Sequence, residues 1–270
     1  MPSLLATAAA TVVIIAGQSN NLVYKTVPAE IPARIRPDPR VQIWNARAGW
    51  FEMMVPGENT HAGIRTSAGS FGPEVEFADE WRKDHPGETL YIIKDRVVEG
   101  QTGLAQDPNA WDWSPQSRGE QYDKATASIT AARAQLSEVG RVIVLLEQGE
   151  TDAADPAKDA AFAGNERDFL EHMRADWGAQ RILIARIPRP WGADSNVRRV
   201  QTALGAFDTD GFALAADNGH FSGAGAIALG AGFYAAFKAP AAQADAKTPV
   251  PGPGNAELAK GPLSPSGPTP

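Results

Sequence analysis

Val12, Val13, Ile14 and Ile15 are four β-branched residues in a row, followed by Ala16 and Gly17. An unbroken run of this kind fits a strand buried on both faces, and such strands belong to parallel sheets covered by helices on each side. Gly17 permits an abrupt turn, so Ser19 falls just past the carboxyl end of the strand, where open α/β sheets place their chemistry. A serine there can act as a nucleophile, and its own amide can hold an oxyanion. Serine after a strand is more often only a turn residue or a helix cap. The far end of the chain decides between the two.

There, Asp217-Asn218-Gly219-His220 follows the apolar run 212–216, itself predicted to be a strand. Nucleophilic serine catalysis needs an imidazole to take the hydroxyl proton and a carboxylate to fix the imidazole tautomer. An Asp three residues before a His supplies both from one short loop. The other three histidines have plain explanations. His61 lies in a Gly-rich loop, His85 precedes Pro86 at a helix exit, and His172 sits in a charged helix.

Between these ends, strands alternate with helices. Strands are predicted at 41–45 (with 50–53 pairing to it), 89–94, 141–146, 181–187 and 212–216. Gly72-Pro73-Glu74 opens a helix with Val75, Ala78 and Trp81 inward. Apolar residues at three- and four-residue spacing mark a helix over 121–139, stopped by Gly140. A further helix carries Phe162, Phe169, Met173 and Trp177, and a short one carries Val197, Val200 and Leu204. The last helix, 223–237, is rich in Ala and Gly, a composition that favours close packing on the sheet. This alternation predicts a doubly wound, mainly parallel sheet.

The chain has 270 residues, which suits one such domain over 1–238. Residues 239–270 hold no aromatic residue and many prolines, so they read as a disordered or extended tail. A linker remnant and an arm docking on a larger assembly are equally open readings of it.

A formal charge of −7 argues against nucleic acid or an anionic membrane as the main partner. The absence of cysteine excludes disulfides, thiolate metal sites and a cysteine nucleophile, and leaves the compartment open. The apolar start lacks a basic region, and cleavage after it would remove the first strand. It therefore reads as part of the fold rather than as a signal peptide. No run reaches the roughly eighteen apolar residues of a membrane span. The expectation is a soluble protein, for which extracellular or virion-associated action is open.

Four segments meet at the carboxyl edge of the predicted sheet: Ser19; Gly72, at a helix start with an unpaired amide; Gln148 to Asp152, with a side-chain amide able to donate to an oxyanion; and Asp217 with His220. Each alone has a structural explanation. Their order and wording resemble the SGNH hydrolase superfamily, and within it the sialate O-acetylesterase-like branch that includes the acetylxylan esterases of carbohydrate esterase family 6. The resemblance rests on Gly17-Gln18-Ser19-Asn20, Phe71-Gly72-Pro73-Glu74, Gln148-Gly149-Glu150-Thr151-Asp152 and Asp217-Asn218-Gly219-His220-Phe221.

That resemblance implies a flavodoxin-like three-layer α/β/α sandwich with a mainly parallel five-stranded sheet. It implies Ser19 as nucleophile, His220 as base and Asp217 as orienting carboxylate, with an oxyanion hole from the Ser19 and Gly72 amides and Gln148. Glu150 competes with Asp217 for the third role, and Asn20 is a further accessory residue. Leu146-Glu147 stands where the branch often has an aromatic residue and then His or Gln, and Asn21 where Met is common. Both departures bear on which sugar is accepted. The Gly-x-Ser-x-Gly elbow of other α/β-hydrolases is absent.

The activity so implied is removal of O-acetyl groups from carbohydrate through an acetyl-enzyme, without metal or cofactor. Trp50, Trp111 and Trp113 are candidates for a sugar-stacking rim. The alternative is a carbohydrate-binding component of a phage or phage-like virion, its site secondary or vestigial. An SGNH esterase or thioesterase acting on lipid fits less well.

Overall fold

The computed structural model describes residues 9–22, 25–60, 69–94 and 103–240. The β-branched run forms the middle of β1 (Ala10–Gly17), the most enclosed strand of the sheet. The other strands are β2 (Val41–Asn45), β3 (Trp50–Met53), β4 (Leu90–Lys94), β5 (Val139–Glu147) and β6 (Arg181–Ile184), in the order β3-β2-β4-β1-β5-β6. β1 pairs in parallel with β4 on one side and β5 on the other. Five strands run parallel and β3 adds an antiparallel edge beside β2, so the sheet is mainly parallel as expected but has six strands rather than five.

Side chains of a strand alternate between its two faces, and the two faces of β1 fill two separate cores. Val12, Ile14 and Ala16 pack with Tyr122 and Ile129 of α3 (Gln121–Arg133) and Phe162, Phe169 and Trp177 of α5 (Pro156–Trp177). Val197 and Val200 of α6 (Asn196–Ala203) join that side. Val13 and Ile15 pack with Phe77 and Trp81 of α2 (Glu74–Asp84) and Leu229 and Phe233 of α7 (Gly223–Lys238). The remaining helices are the single turns α1 (Ser19–Leu22) and α4 (Glu150–Ala153). The result is the expected three-layer sandwich.

Helix ends follow local chemistry. The Asp155 carboxylate accepts from the Ala157 and Lys158 amides ahead of Pro156, and Gly178 ends α5 in the left-handed region, where glycine is unstrained. Ser195 and Ser222 cap α6 and α7 in the same way.

Two expectations are corrected and a third is extended. The segment 212–216 is not a strand of the sheet. It makes one antiparallel bridge, Leu214 to Phe221, supported by Ala215 N–H donating to the His220 carbonyl at 2.7 Å. Its small alanine side chains offer a sheet little to pack against, and the turn at 217–219 folds the chain back on itself instead. The helix from Gln121 ends at Arg133, not 139, because Val139 and Gly140 already belong to β5. The small residues of α7 serve contact with α2 as well as the sheet. A Cβ on Gly230 would lie 2.4 Å from the Pro73 carbonyl oxygen, so glycine is what lets the two backbones meet. The loop residues 61–68 and 95–102, and all of the tail beyond residue 240, lie outside the described residues. No helix among the described residues is long and apolar enough to cross a membrane.

One carboxyl in the core is out of keeping with its surroundings. Glu166 of α5 is 1 % exposed, and neither side-chain oxygen has a partner among the described residues. Burial, with the nearby Asp152 charge, pushes it up to about 8. The folded protein therefore keeps a proton that the unfolded chain releases above about pH 4.3, so this group costs stability increasingly as pH rises from there towards 8. Glu166→Gln mimics the neutral acid. It should raise stability at pH 7 by roughly 3 to 4 kcal/mol and leave it nearly unchanged at pH 4, as read by urea unfolding at both values.

Candidate active site

β1 ends on Gly17 at φ 134°, where a Cβ would lie 1.8 Å from the Glu147 carbonyl oxygen. Only glycine lets the ends of β1 and β5 approach this closely. The Gln18 amide then donates to the same Glu147 carbonyl at 3.1 Å. The Gln18 side-chain oxygen accepts from Gln148 Nε2 at 3.0 Å, Gly149 N–H at 3.2 Å and Thr151 N–H at 3.1 Å. Its Nε2 donates to Thr151 Oγ1 at 2.8 Å. One buried side chain thus joins the two loops that leave the two central strands.

Ser19 opens α1, half-buried, with its Oγ 3.0 Å from His220 Nε2. The other ring nitrogen of His220, Nδ1, lies 2.8 Å from Asp217 Oδ2. Asp217 Oδ1 accepts the backbone N–H of Gly219 at 3.1 Å and of His220 at 3.0 Å. Burial by itself would raise the Asp217 carboxyl. The hydrogen bonds from the His220 amide and ring and the Gly219 amide outweigh it and hold the group well below the usual carboxylate range. Lys25 Nζ stands 3.8 Å from Asp217 Oδ2. Serine, imidazole and carboxylate thus form one hydrogen-bonded row, in the geometry that lets an imidazole take a hydroxyl proton.

Asn20 ties this row to the sheet. Its side chain is buried, donates to Glu150 Oε1 at 2.7 Å and to the Gly219 carbonyl at 3.3 Å, and accepts the Phe221 amide at 3.0 Å. Glu150 therefore holds Asn20, while Asp217 holds the imidazole. Glu150 in turn meets Glu147, and both are fully buried. Burial and the neighbouring charge raise Glu147 strongly. Glu150 is itself raised by burial. Two adjacent buried carboxyls cannot both ionise.

The other expected oxyanion donors have different partners. The Gly72 amide donates to Glu74 Oε1 at 2.9 Å, and that oxygen also accepts Lys94 Nζ at 2.8 Å. Gln148 is 1 % exposed, bonded to Gln18 and to the Asp152 carboxylate. The Ser19 amide has no partner among the described residues.

The expected tryptophan rim is also corrected. Trp113 is fully buried against Phe169, and Trp111 is half-buried with the Lys124 ammonium 3.3 Å from its ring centre. Trp50 is exposed, but on β3, three strands from β1 and so about 14 Å to the side. The aromatic residue at the site is Trp191. Its Nε1 donates to the Gly219 carbonyl at 2.7 Å, and its ring meets His220 edge-on at 5.7 Å. An aromatic residue between Pro190 and Gly192, just past β6, was the available signal. Among the described residues, one carboxylate group, Glu76, Asp79 and Glu80, is close enough to share a cation. Arg34, Arg82 and Lys83 already pair with it.

An open α/β sandwich with this row at its carboxyl edge belongs among the hydrolases. The chain is a member of the carbohydrate esterase family described as sialic acid-specific acetylesterase, which its sequence matches over residues 9–239. No curated protein sequence matches it. Two solved structures share the fold. An Arabidopsis thaliana protein is 19% identical with a TM-score of 0.67, covering 84% of this chain and 97% of its own. NanS is 15% identical with a TM-score of 0.58, covering 84% and 96%.

Asn20→Ala removes the link between Glu150 and the His220 loop and leaves buried polar groups unpaired. It should cost about 2 to 3 kcal/mol of stability and lower turnover on an aryl acetate at least about tenfold. Unchanged stability and turnover would show that the loop is held elsewhere.

Proposed function

We propose that this chain is a serine esterase that removes O-acetyl groups from carbohydrate through an acetyl-enzyme. The observation that carries the reading is the row Ser19 Oγ, His220 Nε2, His220 Nδ1, Asp217 Oδ2, with contacts of 3.0 and 2.8 Å. Family membership supplies the carbohydrate ester.

In the first half, Ser19 Oγ attacks the acetyl carbonyl carbon as its proton passes to His220 Nε2. Asp217 holds the Nδ1–H tautomer, which leaves the Nε2 lone pair facing the serine, and then stabilises the imidazolium. As the tetrahedral intermediate collapses, the imidazolium gives its proton to the departing sugar oxygen, and the acetyl group stays on Ser19. In the second half, water loses a proton to His220, attacks the acetyl carbon and releases acetate. The Ser19 N–H is the standing oxyanion donor. The Gly72 N–H joins it when Glu74 turns wholly to Lys94, its other partner. Gln148 supports the turn through Gln18 rather than donating to the oxyanion.

Acetate release from O-acetylated polysaccharides and a small aryl acetate tests this, with wild type beside Ser19→Ala. Turnover should fall by roughly 10⁴-fold or more in the variant. A folded Ser19→Ala protein with wild-type turnover would overturn the mechanism.

A further inference from the structure

We propose that a cavity at the amino-terminal ends of β2 and β4, walled by β3, is a second carbohydrate site that holds a neutral glycan chain away from the catalytic row. The row itself takes no part in it, so the site stands or falls independently of the esterase reading.

Strand register places the cavity. Gln42 of β2 lies opposite Tyr91 of β4 on one side and Met53 of β3 on the other. Their neighbours Val41, Ile43, Leu90 and Ile92 fill the core towards α2 and α7. Successive side chains alternate between the faces of a sheet, so Gln42 and Tyr91 project from the opposite face. Burial on that face declines outwards: Trp44 is buried, Phe51 and Tyr91 are half-buried, and Met53 is exposed. A cavity of about 430 Å³ opens here, between Gln42, Phe51, Thr89 and Tyr91 on the sheet and Gln135 and Leu136 just past α3. Its volume is ordinary for a small-molecule site. Tyr91 pairs with Val12 of β1, seven residues before Ser19, so about 23 Å of strand separates the cavity from the row.

The lining names the class of ligand. None of its seven residues is charged. Asp38 and Arg40, on either side of the lining residue Pro39, pair with each other at 2.7 Å. An ionic ligand therefore finds no counter-charge. Phe51 meets Tyr91 edge to face at 5.0 Å and Trp44 at 5.3 Å, which holds both cavity rings in place. Around them stand groups that bond hydroxyls. The Tyr91 and Thr89 hydroxyls and the Gln135 side-chain amide have no partner among the described residues. Gln42 Nε2 donates to the Pro39 carbonyl at 2.7 Å, which orients the side chain and leaves its oxygen to accept.

A sugar presents the matching surfaces, C–H faces that pack on aromatic rings and a rim of neutral hydroxyls. A purely apolar partner would cover these four polar side chains without bonding them, which is unfavourable. The chain's family acts on carbohydrate, and a second site raises the local concentration of a long substrate without touching the ester.

The probes are cellohexaose and xylohexaose, both neutral and free of acetyl groups. In calorimetry the wild-type protein should bind at least one of them. The backbone amide resonances that shift on binding should be those of Gln42, Phe51, Tyr91 and Gln135, not those of Ser19 and His220. In Tyr91→Thr/Gln135→Ala the affinity should fall at least about tenfold, with turnover of an aryl acetate unchanged. No binding of either probe, shifts confined to the Ser19 edge, or full affinity in the double variant each overturns the site. Should the variant fail to fold, the wild-type resonances decide. If wild type cleaves no ester, the esterase reading fails and the binding comparison still stands.

Discussion

The buried side chain of Asn20 is the interaction on which the geometry of the Ser19, His220 and Asp217 row depends. Ser19 and His220 are 201 positions apart in the chain, and nothing local holds a serine and an imidazole at hydrogen-bond distance. Asn20, adjacent to the serine, bonds the carbonyl of Gly219 and the amide of Phe221, the two residues flanking the histidine. Its orientation is set by Glu150, whose own position follows from the end of β5. Trp191 adds a second donor to the Gly219 carbonyl from the loop after β6. The loop carrying Asp217 and His220 is short and exposed, so these anchors supply the rigidity it lacks.

The arrangement is costly in electrostatic terms. Glu147 and Glu150 are buried together, and Gln18, Asn20, Asn21 and Gln148 are buried beside them. Burying polar groups is tolerable only when each finds a partner. Here the Gln18 amide oxygen accepts three donors and Asn20 meets Glu150, while both Glu147 oxygens and one Glu150 oxygen have no hydrogen-bond partner among the described residues. The hydrogen-bonded network fixes the two central loops to each other more tightly than apolar packing could, because hydrogen bonds are directional. The proposed nucleophile and base need that precision, since misplacement of reacting groups by about 1 Å can cost two orders of magnitude in rate.

Much of the sheet was legible because its signals are local. The run Val12 to Ile15 has no alternating polar residue, so burial on both faces was the available solution. The residues Phe162, Phe169, Met173 and Trp177 recur at helical spacing and all lie in the core. Errors fell where partners decide. The run 212–216 is apolar enough for a strand, but its hydrogen bonds go to the segment that follows it. Trp113 is as polar-tipped as any rim tryptophan, and only the packing of Phe169 shows that it is inside. The Gly72 amide was correctly placed at a helix start, yet its partner is a side chain two residues on, whose same oxygen also accepts a lysine from β4.

By itself the sequence determined the alternation of strand and helix, the glycine that ends β1 and the four loop segments at one sheet edge. These follow from side-chain shape, periodicity and backbone freedom, which act over a few residues. Tertiary structure alone decided that Asp217 rather than Glu150 meets the imidazole, that Trp191 lies beside it, and that three arginines, Arg186, Arg189 and Arg198, converge on Asp210. Those outcomes depend on distances between segments far apart in the chain. Such distances are set by how the two cores pack against the sheet, which no local pattern encodes.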